Sequence, residues 1–149
     1  MQKLKRILYT IFALFMKKQK QPIQKESKLH LLITNYLRVR YPDVIFRTDF
    51  GAGMKMTIGQ AMKHKRMQSS DAYPDIFIAE PKNNYCGFFI ELKRVPSAVH
   101  KKDGNLRQVE HIQKQYAMLI RLRNKGYKAE FGLGYQHTIH MIDEYLASS

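Results

Sequence analysis

The segment from Pro74 to Arg94 constrains this chain more than any other. Ile76-Phe77-Ile78-Ala79 is an apolar run opened by Pro74-Asp75, and Gly87 to Arg94 holds a second, with Asn83-Asn84 between them. Short apolar runs separated by turn residues predict two strands of one sheet. A hairpin over residues 75–93 would bring Asp75 near Glu91. Successive strand side chains alternate faces, so Glu91 and Lys93 project together while Leu92 points into the core. Two carboxylates and an ammonium are therefore expected to converge on one edge of the sheet.

The surrounding pattern predicts a mixed α/β domain. Leu29, Leu32, Ile33, Tyr36 and Leu37 recur at helical spacing from Glu26 until Pro42 stops the helix. Val44-Ile45-Phe46 reads as a strand, then a glycine-containing loop (Gly51-Ala52-Gly53), then a helix over Ile58 to Arg66. Leu106 to Lys125 reads as the longest helix, with Gly126 at its C-cap. Lys128 to Leu133 reads as a last strand and Thr138 to Leu146 as a last helix. This order implies a small mixed sheet with helices packed on it.

Charge then narrows the partner. The chain has 149 residues with 26 Lys+Arg and 12 Asp+Glu, a formal net charge of +14. Its pI is about 9.9. Such a balance calls for an anionic partner, either nucleic acid or an acidic membrane surface. Six basic residues and no acidic one lie in residues 1–22, which leaves 20 basic against 12 acidic in the remainder, still +8. Residues 1–25 read as a basic and apolar extension with a linker, and 26–149 as the domain. The apolar stretch Ile7 to Met16 is ten residues, about 15 Å of helix, too short to span a bilayer. It suits a helix packed on the domain, or contact of residues 1–20 with a membrane surface or partner. Lys17-Lys18-Gln19-Lys20 stands where a signal peptide would have small residues, so a cytoplasmic location is expected.

Carboxylates gathered beside a lysine suit phosphodiester hydrolysis. Mg²⁺ is a hard cation held by one or two carboxylates together with water and phosphate oxygens. It can polarise a phosphoryl oxygen and lower the pKa of a water. Lys93 could orient or deprotonate that water. The same residues also fit a plain turn at Asp75 and an exposed cross-strand pair at Glu91 and Lys93.

Pro74-Asp75 followed by Glu91-Leu92-Lys93 resembles the signature of the PD-(D/E)XK nucleases, and more narrowly the small stand-alone VRR-NUC nucleases of phage and bacteria. The likeness runs over residues 26–147. It includes Glu26 at the first helix, Gln115 with Leu122 and Gly126-Tyr127 behind it, and Ile142-Asp143-Glu144-Tyr145-Leu146 as a closing helix. It implies a restriction-endonuclease-like core of helix, three strands, helix and strand, with a C-terminal helix. It also implies Asp75, Glu91, Glu26 and the Leu92 backbone carbonyl as metal ligands, Lys93 as the catalytic lysine and Gln115 as a positioning residue. The implied cofactor is Mg²⁺, for which Mn²⁺ can substitute. The implied activity is cleavage of DNA, branched DNA such as a four-way junction in particular, by a homodimer. Flap, replication-fork or duplex cutting is the alternative within that class, and a non-catalytic nucleic-acid-binding module the alternative outside it. The chain departs from many relatives at Met118, where they carry an aromatic residue, and Gln113 rivals Gln115.

Lys55, Lys63, Lys65, Arg66, Arg94, Lys101, Lys102 and Arg107 flank the predicted site in sequence and are expected to form a phosphate-contacting collar. The six histidines show no recognised metal spacing and are expected at the surface or on phosphate. Cys86 is expected in the core of a strand, and one cysteine excludes a disulfide framework. The glycine loop lacks the Lys-Ser/Thr of a nucleotide-binding loop, though it could let DNA backbone approach.

Overall fold

The computed structural model describes residues 25–49 and 55–147. The N-terminal extension and the Gly51-Ala52-Gly53 loop, with the expectations attached to them, lie outside the described residues. Among those described, no helix is long and apolar enough to cross a membrane.

The chain runs α1 (Glu26–Arg40), β1 (Phe46–Thr48), α2 (Ile58–Arg66), β2 (Ile76–Ile78), β3 (Phe88–Lys93), α3 (Glu110–Asn124), β4 (Lys128–Leu133) and α4 (Tyr135–Ala147). The four strands form one sheet in sequence order. β1–β2 and β2–β3 are antiparallel, whereas β3–β4 is parallel, with α3 making the crossover that a parallel pair requires. The β2–β3 connection turns at Asn83 and Asn84, whose φ values of 53° and 66° are the left-handed pair that Asn tolerates. The Lys82 and Tyr85 backbones exchange hydrogen bonds of 2.8 and 3.1 Å across it.

The alternation of β3 divides the core. Phe88, Ile90 and Leu92, with Ile76 and Ile78, pack under α1 and α4. Phe89 faces the other way, onto Met118, Leu119 and Leu122 of α3. Met118 is thus a core residue, and Phe77, Phe89 and Tyr127 supply the aromatic rings of that face. On the opposite face, Tyr36 and Tyr41 donate their hydroxyls to Asp143 at 2.6 and 2.7 Å, which clamps the end of α1 to α4.

Several boundaries differ from expectation for local reasons. The first strand starts at Phe46 because the Val44 N–H bonds back to the Tyr41 carbonyl. Residues 106–109 are not helical: the Arg107 N–H is committed to the Val99 carbonyl and Leu106 bridges to His100. α4 begins a turn early, at Tyr135, since Gly134 at φ +82° redirects the chain straight out of β4. Cys86 lies before β3 and is exposed, not in the core, because the strand starts only at Phe88.

Gly132 lets α4 close onto the sheet. A Cβ there would stand 2.5 Å from Thr138 Oγ1 and 2.9 Å from Ile90 Cγ2. Both neighbours are buried, so neither can swing into solvent. Gly132→Ala should therefore destabilise the fold by about 1–3 kcal/mol. Thermal melting would register this as a lower Tm, and an unchanged Tm would mean that the close approach is not rigid.

Candidate active site

Where β2 begins and β3 ends, the backbone ladder stops after the Ile76–Ile90 pair, and Pro74 has no N–H to offer the Leu92 carbonyl. The Leu92 N–H, next along β3, instead donates to Asp75 Oδ2 at 2.7 Å. Asp75 thus becomes part of the backbone hydrogen bonding of β3 and is buried by the same closure. The register pairs Ile76 with Ile90, so Asp75 falls opposite Glu91, as the hairpin predicts. One expectation is corrected in position. The carboxylates meet at the end of the two inner strands, not on a lateral edge, because β1 and β4 occupy the edges.

Glu91 lies on the α3 face of β3 and is 4% exposed. Its Oε1 accepts from Lys93 Nζ at 3.0 Å and from Gln115 Nε2, which reaches it from α3. The two glutamines are thereby told apart, since the Gln113 side chain donates to the Arg107 carbonyl at 2.8 Å and stays outside the site. Gln115 Oε1 is buried and has no hydrogen-bond partner among the described residues.

The other half of the site comes from α1. Glu26, in its first turn, is exposed; His30, one turn later on the same stripe, is buried. His30 Nε2 stands 3.6 Å from Asp75 Oδ1. One ligand atom from each of Glu26, His30 and Asp75 lies within 4.8 Å of the other two. His30 is the residue that sequence reasoning missed. Spacing among the six histidines alone points to the surface or to phosphate and does not reveal it. The signal was an i, i+4 pair with Glu26, set on the side of α1 that also carries Leu29 and Ile33. The C-terminal histidines stay apart from this group: His137 Nδ1 accepts the Leu133 N–H at 3.1 Å, and His140 sits 3.4 Å from Glu144.

Burial governs the electrostatics. Desolvation raises the Asp75 carboxyl, opposed by His30 and by the Leu92 N–H. Desolvation, then the Asp75 charge, pushes Glu91 up to about 7, against the pull of Lys93. The donor set of the Glu26 and Asp75 carboxylates with the His30 imidazole fits a divalent cation, which would supply the positive charge these acids lack.

The basic residues form two groups. Lys63, Lys65 and Arg66 are exposed on α2, with Lys55 just before it. α2 buries none of its side chains and is held at its start by a Thr57–Gln60 capping box. His64 of α2 lines a cleft with Arg47, Asp49, Tyr73, Pro74 and Phe77, which links this helix to the residue preceding Asp75. Arg94, Lys101, Lys102 and Arg107 are exposed on the loop after β3. Arg107 is partly structural, since its Nε donates to the Ser97 carbonyl at 2.7 Å.

The raised Glu91 carboxyl has a measurable consequence. Between its ordinary 4.5 and about 7, the folded protein keeps a proton there that the unfolded chain releases. Folding is therefore favoured at the acid end, and stability falls as pH rises through this window. The full shift is worth about 3 kcal/mol. In the presence of chelator, the Tm should drop between pH 5 and pH 8, and Glu91→Gln should flatten that drop. A wild-type Tm that rises across the window, or a Glu91→Gln slope equal to the wild-type slope, would contradict this.

No family model matches this sequence, and no curated protein does. Among solved structures, the chain is similar to one described as a VRR_NUC domain protein. The two share 20% identity and superpose with a TM-score of 0.53, over 83% of this chain and 89% of that one. The mixed four-stranded sheet, its strand order and this likeness agree with the fold that the sequence resemblance implies. The chain has the restriction-endonuclease-like fold of that VRR_NUC domain protein.

Proposed function

We propose that the domain is a divalent-metal-dependent nuclease that hydrolyses DNA phosphodiesters, acting on branched DNA such as four-way junctions. The observation that carries this reading is the meeting of Asp75, Glu91, Lys93 and Gln115 at one strand end of a chain with a net charge of +14. A carboxylate cluster in so basic a molecule has a use if anionic substrate and cation are drawn to the same place. The fold shared with a VRR_NUC domain protein supports the same class.

Asp75, Glu91, Glu26 and the Leu92 carbonyl are the groups that would hold Mg²⁺, or Mn²⁺ in its place. A cation held there polarises a phosphoryl oxygen and acidifies water. The chain's own groups do the rest. Lys93, whose Nζ donates to Glu91 at 3.0 Å, would orient the attacking water or, in its neutral form, deprotonate it. Gln115 fixes the Glu91 carboxylate through its amide N–H and offers Oε1 as an acceptor for a hydrogen of that water. Water attacks phosphorus, the P–O bond to the leaving oxygen breaks, and that oxygen takes a proton from solvent. No covalent enzyme intermediate is involved. The exposed cations of α2 and of the loop after β3 grip phosphates and carry no base readout, which suits recognition of shape. A homodimer would set two such sites on opposite strands of a junction. Residues 26–149 form the nuclease domain in this reading, at work in the cytoplasm of a bacterial or phage-infected cell. Residues 1–25 would be an extension and linker, whose residues 1–20 pack on the domain or contact a membrane surface or a partner.

A panel of four-way junction, flap and linear duplex, with Mg²⁺, Mn²⁺ or chelator, tests the activity. Branched DNA should be cut with metal and left intact with chelator. Lys93→Ala should slow cutting by about 100- to 10,000-fold. Asp75→Ala should abolish it, and both variants should still bind DNA. No cutting of any substrate with either metal would favour a binding module, and full activity in both variants would overturn the site assignment.

Salt dependence tests the collar separately. Replacing Lys63 and Lys65 together by Ala should lower the slope of log affinity against log salt by roughly 2. An unchanged slope would remove α2 from the DNA track.

A further inference from the structure

We infer that His30 is a direct ligand of the cation, so that the site takes a first-row transition ion of the Mn²⁺ kind in preference to Mg²⁺. This rests on the metal-dependent reading above and extends it to the identity of the metal.

His30 is 6% exposed and Asp75 8%. Their facing atoms, Nε2 and Oδ1, are 3.6 Å apart, beyond the reach of a good hydrogen bond. Glu26, one turn before His30, joins them with all three ligand atoms inside 4.8 Å. Two ligands of one ion with bonds of about 2.1 Å stand about 3 Å apart when adjacent and about 4.2 Å when opposite. The spacings fall close to that range, and the exposed Glu26 side chain is free of the constraints of burial and can move inward. A cation entering from solvent would thus meet Glu26 first, with an imidazole nitrogen and a carboxylate oxygen behind it.

The chemistry then selects the ion. An all-oxygen site suits Mg²⁺, which binds imidazole poorly, whereas a mixed nitrogen and oxygen set favours the first-row divalent metals. The alternative role for His30 is as a charged companion of Asp75. That role would steady the carboxylate without choosing between metals.

Binding of Mn²⁺ and of Mg²⁺ to the full chain, measured by calorimetry without DNA, separates the two. Mn²⁺ should bind at least about tenfold tighter than Mg²⁺. His30→Gln should weaken Mn²⁺ by about tenfold or more and Mg²⁺ by less than about threefold. Pulsed electron paramagnetic resonance of the Mn²⁺-loaded wild type should show coupling to a histidine nitrogen. That coupling should change on ¹⁵N-histidine labelling and vanish in His30→Gln. The wild-type spectrum decides the matter even if His30→Gln fails to fold. Metal binding that Asp75→Asn abolishes, but without nitrogen coupling, would overturn the His30 ligand and leave the carboxylate site standing. Absence of binding of either metal to the wild type would overturn both.

Discussion

One hydrogen bond ties the acidic site to the sheet: the Leu92 N–H donated to the Asp75 carboxylate. It takes up the β3 N–H that lies beyond the Ile76–Ile90 pair of the ladder, and it holds an acidic side chain in the interior. A buried carboxylate costs several kcal/mol unless it is hydrogen-bonded or paired. The neighbourhood is arranged around that cost. His30 comes from α1, Lys93 from the next outward position of β3, and Gln115 from α3 takes up the second acid, Glu91. Three elements are thus drawn to a single strand end by the need to satisfy two acids.

The two cores meet at the same place. Apolar residues on one face of β3 hold α1, and those on the other hold α3. Beyond Ile90 the alternation continues, but the side chains on the α3 face change from Phe89 to Glu91 and Lys93. The pocket is what remains where apolar packing gives way to polar side chains on an unbroken strand. The site is therefore built on the sheet, while α2 buries none of its side chains and is closed at its start by its own capping box.

Much of this was legible in the sequence because it is local. The bounds of α2 and β4, the Asn83-Asn84 turn and the convergence of Asp75 with Glu91 follow from spacing and turn chemistry. Less legible were features set by tertiary contacts. The late start of α3 reflects hydrogen bonding between Arg107 and Val99, and the exposure of Cys86 reflects where pairing begins. His30 was hidden for a similar reason: its partner, Asp75, is forty-five positions away, and only the packing of α1 on the sheet unites them. The choice of Gln115 over Gln113 likewise needed the rotation of α3 about its axis.

The clamp between Asp143 and the hydroxyls of Tyr36 and Tyr41 bears on how the molecule responds to acid and base. Burial, reinforced by the Asp143 carboxylate, pushes both phenols up to about 12. They remain donors throughout the range in which the Glu91 carboxyl, pushed up to about 7, gains or loses its proton. The two hydroxyls that fix α1, and with it Glu26 and His30, therefore keep their protons while Glu91 titrates.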